Sequence, residues 1–224
     1  MADAVVIVGT DPFLFDAPNA AKMWEIPDAE YWGLNNSWLM DLPMDKFTRW
    51  FEMHTWARTK RKRSAEHLAW LKREHPFPIY MPKKVRYVKQ SVEYPIDEAR
   101  KLVSRVYDQT TKTNDLFGCT FAYQIALAIL ERIPNIVLFG VNLANAVEIY
   151  MELPSVMFWI GQAAARGHSV FSYASYRGLL EPTLYGYGER KAPAWLPKSV
   201  ANYLEVVEAR KSEEEWLNEI TTGI

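Results

Sequence analysis

The chain has 224 residues, of which 49% are hydrophobic and 24% are charged, and its formal net charge is −1. This composition is typical of a folded domain with a full core and excludes a disordered chain, and no apolar run approaches the ~20 residues needed to cross a bilayer. The single cysteine, Cys119, excludes an internal disulfide framework and a cysteine-based zinc site. The N-terminal residues lack the basic region and cleavage site of a signal peptide, so we expect a cytoplasmic protein that does not bind a membrane.

Short apolar runs in the first third of the chain predict three strands, at residues 4–8, 30–35 and 49–53. Each ends on polar or turn-forming residues. In an open parallel sheet, ligands bind in the crevice beyond these strand ends. The first two ends supply candidate nucleotide-binding residues, and at each end an ordinary turn remains the alternative. These residues are Gly9, Thr10 and Asp11, whose N–H groups could receive a phosphate, and Asn35 and Asn36, which could bond a ribose or base.

The third strand ends on a carboxylate and an imidazole, Glu52 and His54, two residues apart. Side chains with this spacing share a face of a strand. The pair could act as acid and base or hold a metal, and a hydrogen bond at the edge of the core explains it equally well. His67 and His75 fit no metal-ligand spacing, and no metal ligands are assigned.

A strongly basic segment follows this strand. Residues 57–89 contain eleven Lys and Arg but two acidic residues. The densest part is a candidate contact for phosphates, including a nucleic-acid backbone, although a solvated helix start gives the same pattern. Its candidate residues are Arg58, Lys60, Arg61, Lys62 and Arg63.

The rest of the chain alternates helices and apolar strands, which predicts one α/β domain over residues 1–224 with helices on both faces of a mainly parallel sheet. The predicted helices are Ser64–Glu74, with Ser64 as N-cap, Pro95–Tyr107, Leu116–Arg132, Ser155–Arg166 and an acidic C-terminal helix at about 199–220. The predicted strands are Ile79–Met81, Ile136–Gly140 and Ser169–Tyr173.

Three further groups in this half carry possible chemistry. Gly118, Cys119 and Thr120 precede the most apolar helix, whose free N–H groups favour an anion; Cys119 is either reactive or a buried structural thiol. Gly140 and Asn142 end the following strand. Glu148 and Glu152 could present two carboxylates on one face as a base or metal ligands, or face solvent. The candidate ligand-binding residues in this half are Gly118, Cys119, Thr120, Gly140 and Asn142.

The layout resembles the GT-A-like bacterial sialyltransferases of lipooligosaccharide synthesis. The similar features are the strand–Gly-x-x-Pro opening at Gly9, the strand-end Asn35, and the segment from Asp115 to Ile129, which continues into Asn135–Asn142. In that family a helix with this pattern precedes a strand ending in Gly-x-Asp, and both line a nucleotide-sugar site. The resemblance therefore implies that Tyr123, near the start of this helix, is also a nucleotide-binding residue. The sequence also resembles small uncharacterised phage proteins at Trp50–His54, Leu138–Val141 and Leu184–Tyr187.

The resemblance implies a Rossmann-like glycosyltransferase that uses a nucleotide-sugar donor, UDP-linked or other, with a divalent metal as an open possibility. Asn142 replaces the family Asp, and no His between Val141 and Gly161 matches the family's catalytic His. Glu52, His54, Glu148 or Glu152 would have to replace that base. Hydroxymethylated bases in double-stranded phage DNA are one candidate acceptor, in an infected bacterial host. The alternative is a non-catalytic nucleotide-binding phage factor.

Overall fold

A parallel β-sheet organises the molecule. The computed structural model describes residues 2–11, 20–103, 116–143, 148 and 152–173. Its strands are β1 (Ala4–Val8), β2 (Ala29–Leu34), β3 (Arg49–Phe51), β4 (Ile79–Met81), β5 (Ser91–Glu93), β6 (Asn135–Phe139) and β7 (Ser169–Tyr173). They lie in the order β5-β4-β3-β2-β1-β6-β7, and every neighbouring pair is parallel.

Helices cover both faces of this sheet. They are α1 (Ala20–Met23), α2 (Trp56–Lys62), α3 (Ala65–Lys72), α4 (Ile96–Arg100), α5 (Thr120–Leu130) and α6 (Leu153–Ala165), with 3₁₀ turns at Ser37–Leu39 and Met44–Lys46. One hydrophobic cluster joins the sheet to α4, α5 and α6, and a second joins its other face to α1 and α3. The predicted α/β architecture is therefore confirmed.

β1 lies at the centre of the sheet and is buried on both faces. Val5 and Ile7 point into the cluster with α5 and α6, whereas Val6 and Val8 point into the other cluster. Its β-branched side chains suit an extended backbone, and each fully buried one contributes roughly 1.5–3 kcal/mol. This explains why so short an apolar run is recognisable as a strand.

Packing accounts for several of the nine tryptophans. Trp32, Trp50 and Trp159 are completely buried, and Trp70 is nearly so. The Trp50 ring also lies against Gly33, where an added Cβ would approach ring atom Cζ3 to 2.2 Å. These four tryptophans are therefore part of the core.

Some element bounds differ from the sequence prediction. α5 begins at Thr120 rather than Leu116, and α4 covers 96–100 of the predicted 95–107, of which 104–107 lie outside the described residues. α2 and β5 were not predicted, because α2 is mostly charged and Val92, the one apolar residue of β5, is exposed. The predicted helix at 199–220 and the segment Leu184–Tyr187 also lie outside the described residues.

The strand order sets where a ligand crevice is expected. After β1 the chain continues to β2 on one side, whereas after β6 it continues to β7 on the other side. Connections that leave neighbouring strands in opposite directions open a crevice at the carboxyl edge of the sheet. The ends of β2 and β3 lie along this same edge.

Candidate functional site

The loops after β1 and β6 are bonded to each other. Gly9 N–H donates to Phe139 O over 2.7 Å, and Asp11 N–H donates to Gly140 O over 3.0 Å. A Cβ on Gly9 would lie 2.0 Å from Gly140 O, so this close approach requires glycine at position 9. The expectation that the N–H groups of Gly9 and Asp11 stand free for a phosphate is thus corrected, because both already donate. The exposed Thr10 keeps its predicted role as a proposal.

At the end of β2, Asn35 has a fixed backbone and an unused side-chain acceptor. Its φ of 48° is left-handed, its N–H donates to Phe51 O over 2.8 Å, and its carbonyl accepts from Trp50 Nε1 over 3.0 Å. Its Oδ1 is buried without a hydrogen-bond partner among the described residues. A buried acceptor without a donor is costly, so Asn35 can receive an N–H or O–H from a ligand. Asn36 is exposed.

Glu52 lies one residue beyond β3, fully buried, and holds two histidines. Its Oε1 is 2.5 Å from His54 Nδ1, and its Oε2 is 2.9 Å from His67 Nε2. Arg63 adds positive charge, with its Nε 3.7 Å from Glu52 Oε2. The predicted Glu52–His54 pair therefore forms, and His54 remains partly exposed with 26% of its side chain accessible.

These partners keep the Glu52 carboxyl ionised. Burial alone would raise its pKa, but hydrogen bonds from His54 and His67 and the charge of Arg63 outweigh burial and lower the pKa to about 2. A buried carboxylate with this low pKa cannot accept a proton near neutral pH. Glu52 is therefore suited to orienting His54 and unsuited to acting as a base itself.

His67 and Trp38 belong to the site although the sequence gave no sign of it. Trp38 Nε1 donates to His67 Nδ1 over 2.8 Å, and the two rings are stacked. His67 sits in the first turn of α3, whose N-cap Ser64 accepts from His67 N–H over 3.1 Å, confirming the predicted cap. No spacing relates residues 38, 52 and 67, because the fold alone brings these elements together.

Glu152 lies within electrostatic reach of both Glu148 and His54. Burial first, then the Glu148 carboxylate, raises the pKa of Glu152, while the opposite charge of His54 lowers it. The structure thus brings Glu152 near both Glu148 and His54. All three are catalytic candidates from the sequence, and those roles stay predictions. Glu152 precedes α6, which begins with Leu153 and Pro154.

The start of α5 lies beside the start of α6. Cys119 is the N-cap residue of α5, and its Sγ is 4.0 Å from Ser155 Oγ. Burial raises the pKa of the Cys119 thiol to about 11, so the thiol is protonated at neutral pH and the structural-thiol interpretation is favoured over reactivity. Gly118 is exposed, whereas Thr120 is buried.

The remaining predicted nucleotide-binding residues lie in α5 and at the end of β6. Tyr123, one turn into α5, packs its ring against Phe117 and Tyr94, and its carbonyl accepts from the Tyr94 hydroxyl over 2.8 Å. Gly140 has a left-handed φ of 68°, and its N–H donates to Tyr173 O over 2.8 Å. Asn142 follows, partly exposed. Tyr123 and Gly140 therefore have structural roles at these positions.

The basic segment divides into two parts. Four of its predicted nucleic-acid-binding residues are exposed, whereas the fifth, Arg63, turns towards Glu52 and His54. Arg63 follows α2 in an extended conformation, with φ −97° and ψ 156°, which aims the chain into α3. The exposed residues are Arg58, Lys60, Arg61 and Lys62.

Among the described residues, no three His, Cys, Asp or Glu side chains are grouped so as to hold a metal ion. Both oxygens of Glu52 already accept from imidazoles, so this carboxylate is a poor fit to a metal. No helix in the described part of the chain is long and apolar enough to span a membrane.

No protein-family model matches the chain, and no curated protein sequence matches it. The structure is similar to that of the sialyltransferase CstII from Campylobacter jejuni in complex with a substrate analogue, cytidine-5'-monophosphate. The TM-score is 0.46 at 14% sequence identity, covering 75% of this chain and 78% of that chain. A likeness at this level carries no argument about function, which has to rest on the residues themselves.

Proposed function

We propose that this protein is a glycosyltransferase that moves a sugar from a nucleotide-sugar donor to an acceptor hydroxyl, with His54 as the base. One observation carries the proposal. A fully buried carboxylate, Glu52, holds the partly exposed imidazole of His54 at the ligand-binding edge of a parallel sheet. The resemblance of the sequence to GT-A-like sialyltransferases indicates the substrate class.

The chemistry requires a base that is neutral and oriented. His54 takes the proton from the acceptor hydroxyl, the acceptor oxygen forms a bond to the anomeric carbon, and the bond from that carbon to the donor phosphate oxygen breaks. The electron pair of that bond leaves with the nucleoside phosphate. A positioned general base contributes roughly 10²–10⁴-fold to such a step.

The donor contacts follow from the groups along the same edge. The start of α5 at Gly118–Thr120 offers helix N–H groups to the donor phosphate, and Thr10 lies in the loop after β1. The unused Oδ1 of Asn35 is available to a donor group of the base or ribose. Asn142, partly exposed after β6, completes the proposed binding residues.

The acceptor we propose is DNA that carries hydroxymethylated bases. Between residues 57 and 89, ten of the eleven Lys and Arg side chains are exposed, including those of Arg58 and Lys60–Lys62. A surface of this kind attracts the phosphate backbone independently of sequence. The sequence resemblance to small phage proteins supports the same acceptor.

A thermal-shift screen tests donor binding. The purified chain is heated with UDP-, GDP-, CMP- and ADP-sugars, with and without manganese, and with the free sugars as controls. A donor at 100 times its Kd stabilises the native state by about 2.7 kcal/mol, which for a chain of this size raises Tm by roughly 5–10 °C. If no nucleotide-sugar raises Tm, the proposal is wrong. Binding without turnover would instead support the non-catalytic nucleotide-binding alternative.

A further inference from the structure

Four side chains form a continuous line of hydrogen bonds behind His54. Trp38 contacts His67, His67 contacts Glu52, and Glu52 contacts His54, with separations of 2.8, 2.9 and 2.5 Å. His67 and Glu52 are buried to 1% and 0% exposure, so water cannot replace either partner. The line begins at a group that can only donate, and this fixes the direction of the bonds as far as Glu52.

The direction is set by the indole. Trp38 Nε1–H has no acceptor capacity, so His67 Nδ1 must accept and cannot carry a proton. The His67 proton therefore sits on Nε2, where it is donated to Glu52 Oε2. Because one oxygen of Glu52 is held in this way, its carboxyl plane is fixed while the other oxygen faces His54.

The same reasoning fixes His54. The ionised Glu52 has no proton to donate, so the proton in the 2.5 Å contact belongs to His54 Nδ1. Arg63 Nη2 also lies within hydrogen-bond distance of this nitrogen, at 3.2 Å. A protonated Nδ1 cannot accept from it, so the guanidinium acts through its charge on the carboxylate, 3.7 Å away. The lone pair of a neutral His54 is then on Nε2.

We propose that His67 and Trp38 are positioning residues that hold His54 in the Nδ1–H tautomer, so that Nε2 is the nitrogen that takes the acceptor proton. The second half of this statement rests on the proposed function, in which His54 is the base. The first half concerns the free protein and needs no substrate. A histidine in the wrong tautomer presents a donor where catalysis needs an acceptor, which is why the orienting carboxylate of a triad matters.

The first test is a multiple-bond ¹H–¹⁵N spectrum of the imidazoles in the whole chain near pH 8, assigned with single His variants. We expect His67 as the Nε2–H tautomer and His54 as the Nδ1–H tautomer. A spectrum that shows His54 as the Nε2–H tautomer in the wild-type protein overturns the proposal, whatever the protein catalyses.

Two variants of His67 form a matched pair. In His67→Gln the amide N–H still reaches towards Glu52, so His54 should keep its tautomer, whereas His67→Leu removes the donor and should leave His54 as a mixture. Trp38→Phe keeps a stacked ring but removes the indole N–H, and His67 should then lose its single tautomer. It serves as the second variant if His67→Leu fails to fold.

Transfer rates then separate this proposal from the proposed function. Relative to wild type, His67→Leu should lower kcat by at least about 10-fold, up to the 10²–10⁴-fold expected for losing the base, and leave donor KM nearly unchanged. His67→Gln should recover most of the loss. Unchanged kcat in a folded His67→Leu contradicts the positioning role. Full activity in His54→Ala contradicts the proposed function while leaving the tautomer measurement standing.

Discussion

Glu52 is a charged group completely enclosed by the core, and the site depends on how its charge is balanced. Burying an unpaired carboxylate costs several kcal/mol, so it needs compensating partners. Two imidazoles and the Arg63 guanidinium supply them. Removing the charge therefore affects both stability and the orientation of His54.

The depressed pKa of Glu52 predicts a pH-dependent stability. The pKa of Glu52 is about 2 in the folded protein and near its usual value of 4.5 when unfolded. Its contribution to the free energy of unfolding is therefore complete above about pH 4.5 and is lost as the pH falls towards 2. Glu52→Gln should lower the free energy of unfolding at pH 7 by about 3 kcal/mol. Urea unfolding at pH 7 and pH 3 should show this deficit shrinking at the lower pH.

The exposed Glu66 on α3 provides the control for that measurement. Glu66→Gln should change the free energy of unfolding by less than about 0.5 kcal/mol at both pH values. A Glu52→Gln protein as stable as Glu66→Gln at pH 7 would contradict the assigned role of the buried carboxylate.

Cys119 gives a second prediction at this scale. With its pKa raised to about 11, its thiol should react slowly with iodoacetamide at pH 8, since only the thiolate is nucleophilic. Cys119 is the single cysteine, so total alkylation reports on it alone. The rate in the native protein should be far below the rate in urea. Equal rates would show that Cys119 is an exposed, reactive thiol.

Among the elements, the β1–β6 junction explains a glycine that looked like part of a phosphate loop. The backbone of Gly9 approaches Gly140 too closely for any side chain, and its N–H is bonded to Phe139 O. A lone glycine after a strand is compatible with either origin, and the structure assigns this one to the packing of two loops.

This assignment predicts opposite effects for two Gly→Ala substitutions. Gly9→Ala places a Cβ against backbone and should lower the free energy of unfolding by about 1–3 kcal/mol or more. Gly161→Ala, in the interior of α6 with nothing within 4 Å of the new Cβ, should raise it by about 0.5–1 kcal/mol. Thermal unfolding of both variants checks this, and a Gly9→Ala protein as stable as wild type would contradict the close approach.

Sequence patterns predicted the elements whose apolar residues form a clear run or recur at a regular spacing. The β-branched run of β1 and the apolar face of α5 were recognisable, whereas β5 has three residues of which two are exposed, so no alternation marks it. Strand periodicity singled out Glu52 and His54 as a pair, although β3 ends at Phe51, before both residues. His67 and Trp38 could not be found this way, because their contacts with the pair are made only by folding.

On the scale of the whole molecule, the charge is unevenly distributed although the net charge is −1. The excess of positive charge in residues 57–89 lies mainly in α2 and in the segment between β4 and β5, and most of it is exposed. Two of the exposed side chains pair with carboxylates, Lys83 with Glu93 and Lys89 with Glu74. The surface thus keeps a net positive charge that fits a polyanion.

The proposed DNA contact predicts salt-dependent binding. Affinity for a double-stranded oligonucleotide should fall with a log–log slope set by the number of phosphates contacted, and Lys60→Ala/Lys62→Ala should reduce that slope by up to about 2. Lys46→Ala/Lys101→Ala removes the same charge from exposed positions elsewhere and should leave the slope unchanged. If the two double variants change the slope equally in a mobility-shift titration, binding depends on total charge and the proposed DNA contact is contradicted.

The most direct test of the proposed glycosyltransferase function is donor turnover by the His54→Ala variant. The rate of nucleoside phosphate release would be measured with the nucleotide-sugar that stabilises the protein most, with hydroxymethylated DNA as acceptor. His54→Ala should lower kcat on the order of 10²–10⁴-fold while the donor still raises Tm. The control is His168→Ala. The wild-type His168 ring bonds Ile133 O at the amino ends of β6 and β7, the opposite edge of the sheet, so this variant should retain wild-type turnover. If His54→Ala turns over as fast as His168→Ala, the Glu52–His54 pair is not the reacting centre.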